Sequence, residues 1–316
     1  MADLTKLTNG FHDLNSFRAV IGNEDKNIKV LNSLLNVDIF TKGEGIFVDT
    51  KDLGKIELLE KIFNVLIKIS VNNIVLTERD VIYIAKLSEK MDIDDIIAIY
   101  LNRTLITKTF SGKPIYAKTL NQKHYLKAIN NHDLVFGIGP AGTGKTYIAA
   151  TYAAGELFHK RVQKIILTRP NVETGRGLGF LPGTLEEKYA PYLEPFDSVF
   201  SRSLGRGFYE YALKSKDIEP KPLGFMRGST FDDCIVLLDE AQNATRDEMK
   251  MLLSRIGKNC KMIISGDVDQ SDIPESGLSD AVNRLDRIPG IEVVRFLDED
   301  IVRSKMCKQI ILAYRD

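Results

Sequence analysis

Gly139-Pro140-Ala141-Gly142-Thr143-Gly144-Lys145-Thr146 satisfies G-x-x-x-x-G-K-[ST] at every position. It follows the apolar run Leu134 to Ile138 and precedes the helix-compatible stretch Tyr147 to Ala154. A strand, a loop and a helix in that order are the context in which the pattern has a mechanism. The glycines let backbone N–H groups turn inward around the α- and β-phosphates. Lys145 then reaches the β/γ oxygens, and the Thr146 hydroxyl is placed to ligate Mg²⁺. The start of the following helix adds a field that favours an anion. The expectation is a nucleoside triphosphate site with Mg²⁺ as its metal.

Further along, Cys234 to Leu238 is a hydrophobic strand that ends in Asp239-Glu240. Such a strand supplies the second half of the site: Asp239 to hold Mg²⁺ through water, Glu240 to orient and deprotonate the attacking water. Ile263-Ile264-Ser265-Gly266-Asp267-Val268-Asp269-Gln270 is another strand that closes in a polar turn. Residues just past the C-terminal ends of parallel strands face the ligand crevice, so Asp267 and Gln270 are candidates to sense the γ-phosphate or the water.

Those loops need a scaffold, and the pattern after about Thr119 supplies one. Strand signals at Leu134 to Ile138, Lys164 to Thr168, Cys234 to Leu238, Met262 to Ser265 and Ile291 to Phe296 alternate with helical stretches. That alternation predicts an α/β fold with a parallel sheet wrapped by helices. The Gly- and Pro-rich excursion from about Pro170 to Ser229 is too long for an idle connection and is a candidate substrate-contacting region. Upstream, residues 13 to about 70 read as a small α+β unit: an extended Phe17 to Ile21, a helix near Lys26 to Leu35, strands near Val37 to Thr41 and Gly45 to Val48, and a helix from Lys55 to Ile69. A helical stretch from Thr77 to Asn102 follows, with Thr77 as N-cap. Ser111-Gly112-Lys113-Pro114 breaks the pattern as a turn between two extended pieces. The division expected is 1–110 and 111–316.

Composition narrows the class of protein. With 316 residues, 44% hydrophobic and 27% charged, there is material for two globular domains. Lys plus Arg equals Asp plus Glu at 43 each, so any nucleic-acid site must be a local patch. No apolar run approaches a membrane span, and the charged first twenty residues do not form a secretory signal. Cys234, Cys260 and Cys307 lack C-x-x-C spacing and read as reduced, buried thiols of a cytoplasmic protein.

Taken together, GPAGTGKT, TRPNVETGRGLGFLPGTLEEKYAPYLEPF, VLLDEAQN and ISGDVDQSDIP resemble the PhoH family of ATPases over about Lys118 to Tyr314. The resemblance implies a RecA-like P-loop NTPase core, commonly a ring and commonly linked to RNA. It is related to superfamily 1 helicases, whose Gly-Asp-x-x-Gln motif is similar to Gly266, Asp267 and Gln270 here. The family pattern also places a glutamine upstream of the phosphate loop, which Gln122 matches, and an adenine-reading amide there implies ATP over GTP. No N-K-x-D motif typical of GTPases occurs. Asp300-Ile301-Val302-Arg303 resembles a segment whose arginine contacts nucleotide, but Ser304 stands where a histidine is usual. The amino-terminal unit resembles a KH-like RNA-binding module with Gly22-Asn23-Glu24-Asp25 in place of the GXXG clamp. The second glycine is absent, and two acids oppose a phosphate backbone.

A single RecA-like core needs a partner to complete a motor, so the expectation is a homo-oligomer, of which a ring is one form. An arginine crossing between subunits contributes about 10³ to 10⁵ in rate where such fingers have been measured. Arg303, Arg169 and Arg176 are the candidate suppliers, in cis or in trans, and Arg169, Arg176, Lys188 and Tyr189 are candidates for single-stranded RNA. Tyr189, Tyr192 and Phe196 at helical spacing also fit packing. Three readings follow: an RNA-linked motor, helicase or remodelling ATPase; a nucleotide-switch assembly module acting on a protein partner; and a phosphotransferase. Glu240 weighs against the last, because it suits activation of water.

Overall fold

Two sheets of opposite character organise the chain in the computed structural model, which describes residues 4–8, 11, 13–72, 74–170 and 194–301. The described residues fall into two compact units: one lies within Met1–Arg103 and resumes at Glu299, and the other is Thr104–Asp298.

The amino-terminal unit runs β1 (Leu4–Lys6), α1 (Leu14–Ile21), α2 (Lys26–Leu35), β2 (Asp38–Lys42), β3 (Gly45–Asp49), α3 (Leu53–Val71), α4 (Glu78–Ser88) and α5 (Ile93–Leu101). Its three strands are antiparallel in the order β1-β3-β2. The segment Phe17 to Ile21, expected to be extended, is helical. Asp13 caps it by accepting the Ser16 N–H at 2.6 Å, and that local bond outweighs the β-propensity of Phe and Val. The stretch from Thr77 is two helices rather than one, and the first opens with a capping box between Thr77 and Asp80. Ile28, Leu31, Phe63, Leu66 and Ile96 are among the side chains that form this unit's core. Asp300 and Ile301 are buried, and the Lys86 ammonium donates to the Ile301 carbonyl at 3.2 Å, so the chain re-enters this unit after the second one ends.

The second unit opens with the hairpin β4 (Thr104–Lys108) and β5 (Pro114–Ala117), which turns where Ser111 to Pro114 predicted. It continues with α6 (Leu120–Asn131), β6 (Leu134–Ile138), α7 (Lys145–Phe158), β7 (Lys164–Thr168), α8 (Glu194–Leu204), α9 (Arg206–Lys214), β8 (Ile218–Pro220), β9 (Cys234–Leu238), α10 (Arg246–Leu253), β10 (Lys261–Gly266), α11 (Gly277–Leu285) and β11 (Ile291–Arg295). The six-stranded sheet has the order β11-β6-β10-β9-β7-β8, and every pairing is parallel. This is the mixed α/β arrangement the alternating pattern predicted, with all five expected strands present and β8 added at an edge. Successive side chains point to opposite faces. Val135 therefore joins Ile148, Phe196 and Phe200 on one side, while Leu134 and Phe136 join Met249, Leu252 and Val282 on the other. Helices on both faces explain why β6 and β9 are buried at every position. Phe196 is a packing residue, buried and stacked on Phe200 at 6.3 Å. Cys234 and Cys260 are buried thiols with sulfurs 4.0 Å apart.

Candidate nucleotide site

A parallel sheet puts every strand's C-terminal end on one edge, and here four of them meet. Gly139, just after β6, donates its N–H to the Gly266 carbonyl at the end of β10 at 3.1 Å. Asp239, just after β9, donates its N–H to the Thr168 carbonyl at the end of β7, also at 3.1 Å. The residues at these four ends are thus Gly139, Asp267, Asp239 and Arg169, in the spatial order of the sheet.

Between β6 and α7 the chain takes a left-handed or related conformation at Gly139 (φ 132), Gly142 (φ 84) and Gly144 (φ 91). A side chain at Gly139 would place its Cβ 2.3 Å from the Phe296 carbonyl oxygen, so both backbone angle and space demand glycine there. Thr143 is fully buried and donates its hydroxyl to the Pro140 carbonyl at 2.9 Å. The loop closes around Lys145: its ammonium donates to the carbonyls of Gly139 (2.5 Å) and Pro140 (2.8 Å) and lies 3.5 Å from the Thr143 hydroxyl. Burial pushes the Lys145 amine below its ordinary value, partly opposed by the carboxylates of Asp267, Asp239 and Glu240. A lysine held among carbonyls and facing three acids is ready to exchange those carbonyls for phosphate oxygens.

Thr146 joins the two halves of the site by donating its hydroxyl to Asp239 at 2.7 Å. Asp239 is almost fully buried, which raises its carboxyl above the usual range, against the opposing Thr146 hydrogen bond. A hydroxyl and a carboxylate side by side are the hard oxygen donors that Mg²⁺ takes, with phosphate and water filling its other positions. The donor set therefore fits Mg²⁺.

Glu240 sits next in the chain with a left-handed backbone (φ 53, ψ 39), unusual for a residue with a long side chain. Two groups hold its carboxylate. Arg169 approaches it at 3.1 Å while also lying 3.8 Å from Asp239. From the other side, the Gln242 amide donates to it at 2.6 Å. Gln242 belongs to the VLLDEAQN segment itself, whereas Arg169 comes from the end of β7. Arg169, one of the three candidate arginine suppliers, lies on the carboxylates of its own chain.

The remaining expected residues are placed as follows. Asp267 is buried and its carboxylate accepts the Asp269 N–H at 3.2 Å, while Gln270 is exposed in the turn that follows. Gln122 completes a capping box with Thr119 at the start of α6. Its amide oxygen accepts the Lys118 N–H at 2.8 Å and its nitrogen donates to the Thr143 carbonyl at 2.9 Å. It thus touches the phosphate loop directly, a contact that T-x-x-Q spacing alone did not announce. Arg303, Arg176, Lys188, Tyr189 and Tyr192 lie outside the described residues.

An all-parallel sheet covered on both faces, a glycine loop wrapped around a lysine, and a carboxylate pair two strands away define a mixed α/β protein with a P-loop NTPase-like core. The chain belongs to the PhoH family, as the family model described as PhoH-like protein matches residues 114–315. It is 43% identical over 299 residues to the PhoH-like protein of Bacillus subtilis, spanning 94% of this chain and 93% of that one. It is 38% identical over 298 residues to the PhoH-like protein of Mycobacterium tuberculosis H37Rv, covering 93% of this chain and 84% of that one. It also matches Protein PhoH of Escherichia coli K12 at 47% identity over 206 residues, 64% of this chain and 58% of the other. The family expected from the motifs is therefore the right one. Among the described residues, no helix is long and apolar enough to cross a membrane.

Proposed function

We propose that this chain is a Mg²⁺-dependent ATPase of the cytoplasm that couples hydrolysis to RNA as a homo-oligomer. The observation that carries the hydrolytic reading is the Glu240 carboxylate, held between Arg169 and Gln242 beside the Thr146–Asp239 pair. A carboxylate fixed in that way can accept a proton from water as the water's oxygen attacks the γ-phosphorus. The bond between γ-phosphorus and the β-bridging oxygen breaks, leaving ADP and phosphate.

The phosphate loop N–H groups and Lys145 would bind the triphosphate, while Thr146, and Asp239 through water, would hold Mg²⁺. When bound, the metal would neutralise charge on the β- and γ-oxygens. Asp267 and Gln270 lie at the neighbouring strand end, suited to sensing the γ-phosphate. Gln122 is the candidate adenine reader, a role that requires its amide to exchange the Thr143 carbonyl and Lys118 N–H it holds here for the base edge. Arg169, beside the carboxylates of its own chain, is the candidate to act in cis, and Arg303 and Arg176 remain candidates in cis or in trans.

The RNA reading draws on the amino-terminal unit, whose order through α3 of one strand, two helices, two strands and a helix fits a KH-like module before α4 and α5 extend it. The acids of its Gly22–Asp25 loop oppose a phosphate clamp and favour the alternative for this unit, a role in assembly or docking. Product analysis tests the enzymatic core of this reading. Phosphate released from ATP with no added acceptor supports hydrolysis; product that appears only with an acceptor hydroxyl points to a phosphotransferase instead.

A further inference from the structure

Gln242 is not a member of the phosphate loop or of the carboxylate pair, yet it is buried to 3% exposure at the centre of the site. Both ends of its amide are used. The nitrogen donates to the Glu240 carboxylate at 2.6 Å, and the oxygen accepts the backbone N–H of Asp267 at 3.0 Å. Its own carbonyl accepts the Ser271 hydroxyl at 3.1 Å, which adds a second tie to the turn after β10.

The packing around it is equally specific. A Cβ at Gly266 would lie 2.9 Å from the Gln242 amide oxygen and 3.1 Å from its backbone nitrogen. Glycine at that position is thus what lets the amide sit against the strand end. The neighbouring Asn243 repeats the contact pattern one residue on, donating to the Asp272 carboxylate at 2.9 Å and accepting the Asp272 N–H at 2.8 Å. The segment after Glu240 is therefore fastened at several points to the turn that carries Asp267 and Gln270.

From this geometry we propose that Gln242 is a positioning residue that aims Glu240 and ties its orientation to the Asp267–Gln270 turn. The inference rests on the hydrolytic reading of the site. Glu240 has a left-handed backbone and a long side chain with three torsions, so its carboxylate needs an external hold to keep one direction. Arg169 supplies charge from the β7 side, and the Gln242 N–H supplies direction from the β10 side. A displacement of the β10 turn is transmitted through a single rigid amide to the group that activates water. That is a direct path from γ-phosphate sensing to the chemical step.

The test uses the full-length protein and steady-state phosphate release from Mg²⁺-ATP. Gln242→Met keeps the side-chain length without either hydrogen bond, and Gln242→Ala removes both bond and bulk. Each is expected to lower kcat by about 10- to 100-fold, the worth of a hydrogen bond to a charged group, with KM for ATP within about threefold of wild type. Stabilisation of the folded protein by Mg²⁺-ATP should be retained in both, which separates mispositioning from misfolding. In a Glu240→Asp background, whose shorter carboxylate no longer reaches Gln242, adding Gln242→Met should cost less than about threefold, because the two act as a unit. Wild-type kcat in Gln242→Met, a loss confined to KM, or a full additive loss in the Glu240→Asp background would each overturn the inference. Failure of the hydrolytic reading looks different: wild type would release no phosphate, or Glu240→Gln would turn over as fast as wild type.

Discussion

Among the described residues, the loops Gly139–Thr146 and Gly22–Asp25 each begin at glycine and lead into a helix, and they differ in what they offer an anion. The loop from Gly139 to Thr146 places glycine at each positive-φ position and brings Lys145 inward. The loop from Gly22 to Asp25 has one glycine (φ 78), after which Glu24 (φ 55) and Asp25 (φ 57) hold the left-handed conformation themselves. A buried amide braces each loop: Gln122 donates to the Thr143 carbonyl, and Asn27 donates to the Val20 carbonyl, both at 2.9 Å. What differs is the charge and backbone freedom placed on the brace. The first loop carries no acidic residue; the second carries Glu24, exposed, and Asp25, half-buried, whose negative charge opposes a phosphate. A helix-entry loop becomes a phosphate site through composition as much as through shape.

That contrast can be broken at four points. The largest effect is expected from Glu240→Gln, which should bind Mg²⁺-ATP yet lose about 10²- to 10⁴-fold in kcat, read by phosphate release. Next is Gly144→Ala, which forces a methyl into a left-handed position (φ 91) 3.0 Å from the Gln122 amide nitrogen. It should weaken Mg²⁺-ATP binding about tenfold, corresponding to roughly 1–2 kcal/mol of backbone strain, as measured by calorimetric titration. Asn27→Ala removes the brace of the second loop, and chemical denaturation should show a loss of about 1–2 kcal/mol with ATP hydrolysis unchanged. The smallest effect is expected from the double substitution Glu24→Gly and Asp25→Gly. Relief of left-handed strain and the added chain entropy nearly offset one another, so stability should move by under about 1 kcal/mol. Affinity for single-stranded RNA should rise about threefold at low salt, by fluorescence anisotropy; no rise would remove this loop from the RNA path.

What the sequence makes legible is what is local. Gly139 to Thr146 and Asp239-Glu240 announce themselves because each chemical part is contiguous along the chain and flanked by the strand it needs. β6 and β9 are equally plain, since full burial between two helical layers leaves unbroken apolar runs, and β11 shows through its apolar Ile291, Val293 and Val294 despite Glu292 and Arg295. β8, by contrast, is three residues at a sheet edge ending in Pro220, too short and too irregular to show a period. Phe17 to Ile21 misleads because its β-branched and aromatic content hides an Asp13 cap four residues earlier. Gln242 and Arg169 are hidden for a deeper reason: their roles depend on strands β7, β9 and β10 ending side by side, and sequence spacing carries no trace of that adjacency.

The central claim is that the site hydrolyses ATP and that RNA governs the rate. Its most direct test is phosphate release from Mg²⁺-ATP by wild type and by Glu240→Gln, each with and without single-stranded RNA. The account predicts hydrolysis by wild type that rises with RNA and is lost, with and without RNA, in Glu240→Gln. Hydrolysis by wild type that is indifferent to RNA, or that survives in Glu240→Gln, would contradict it.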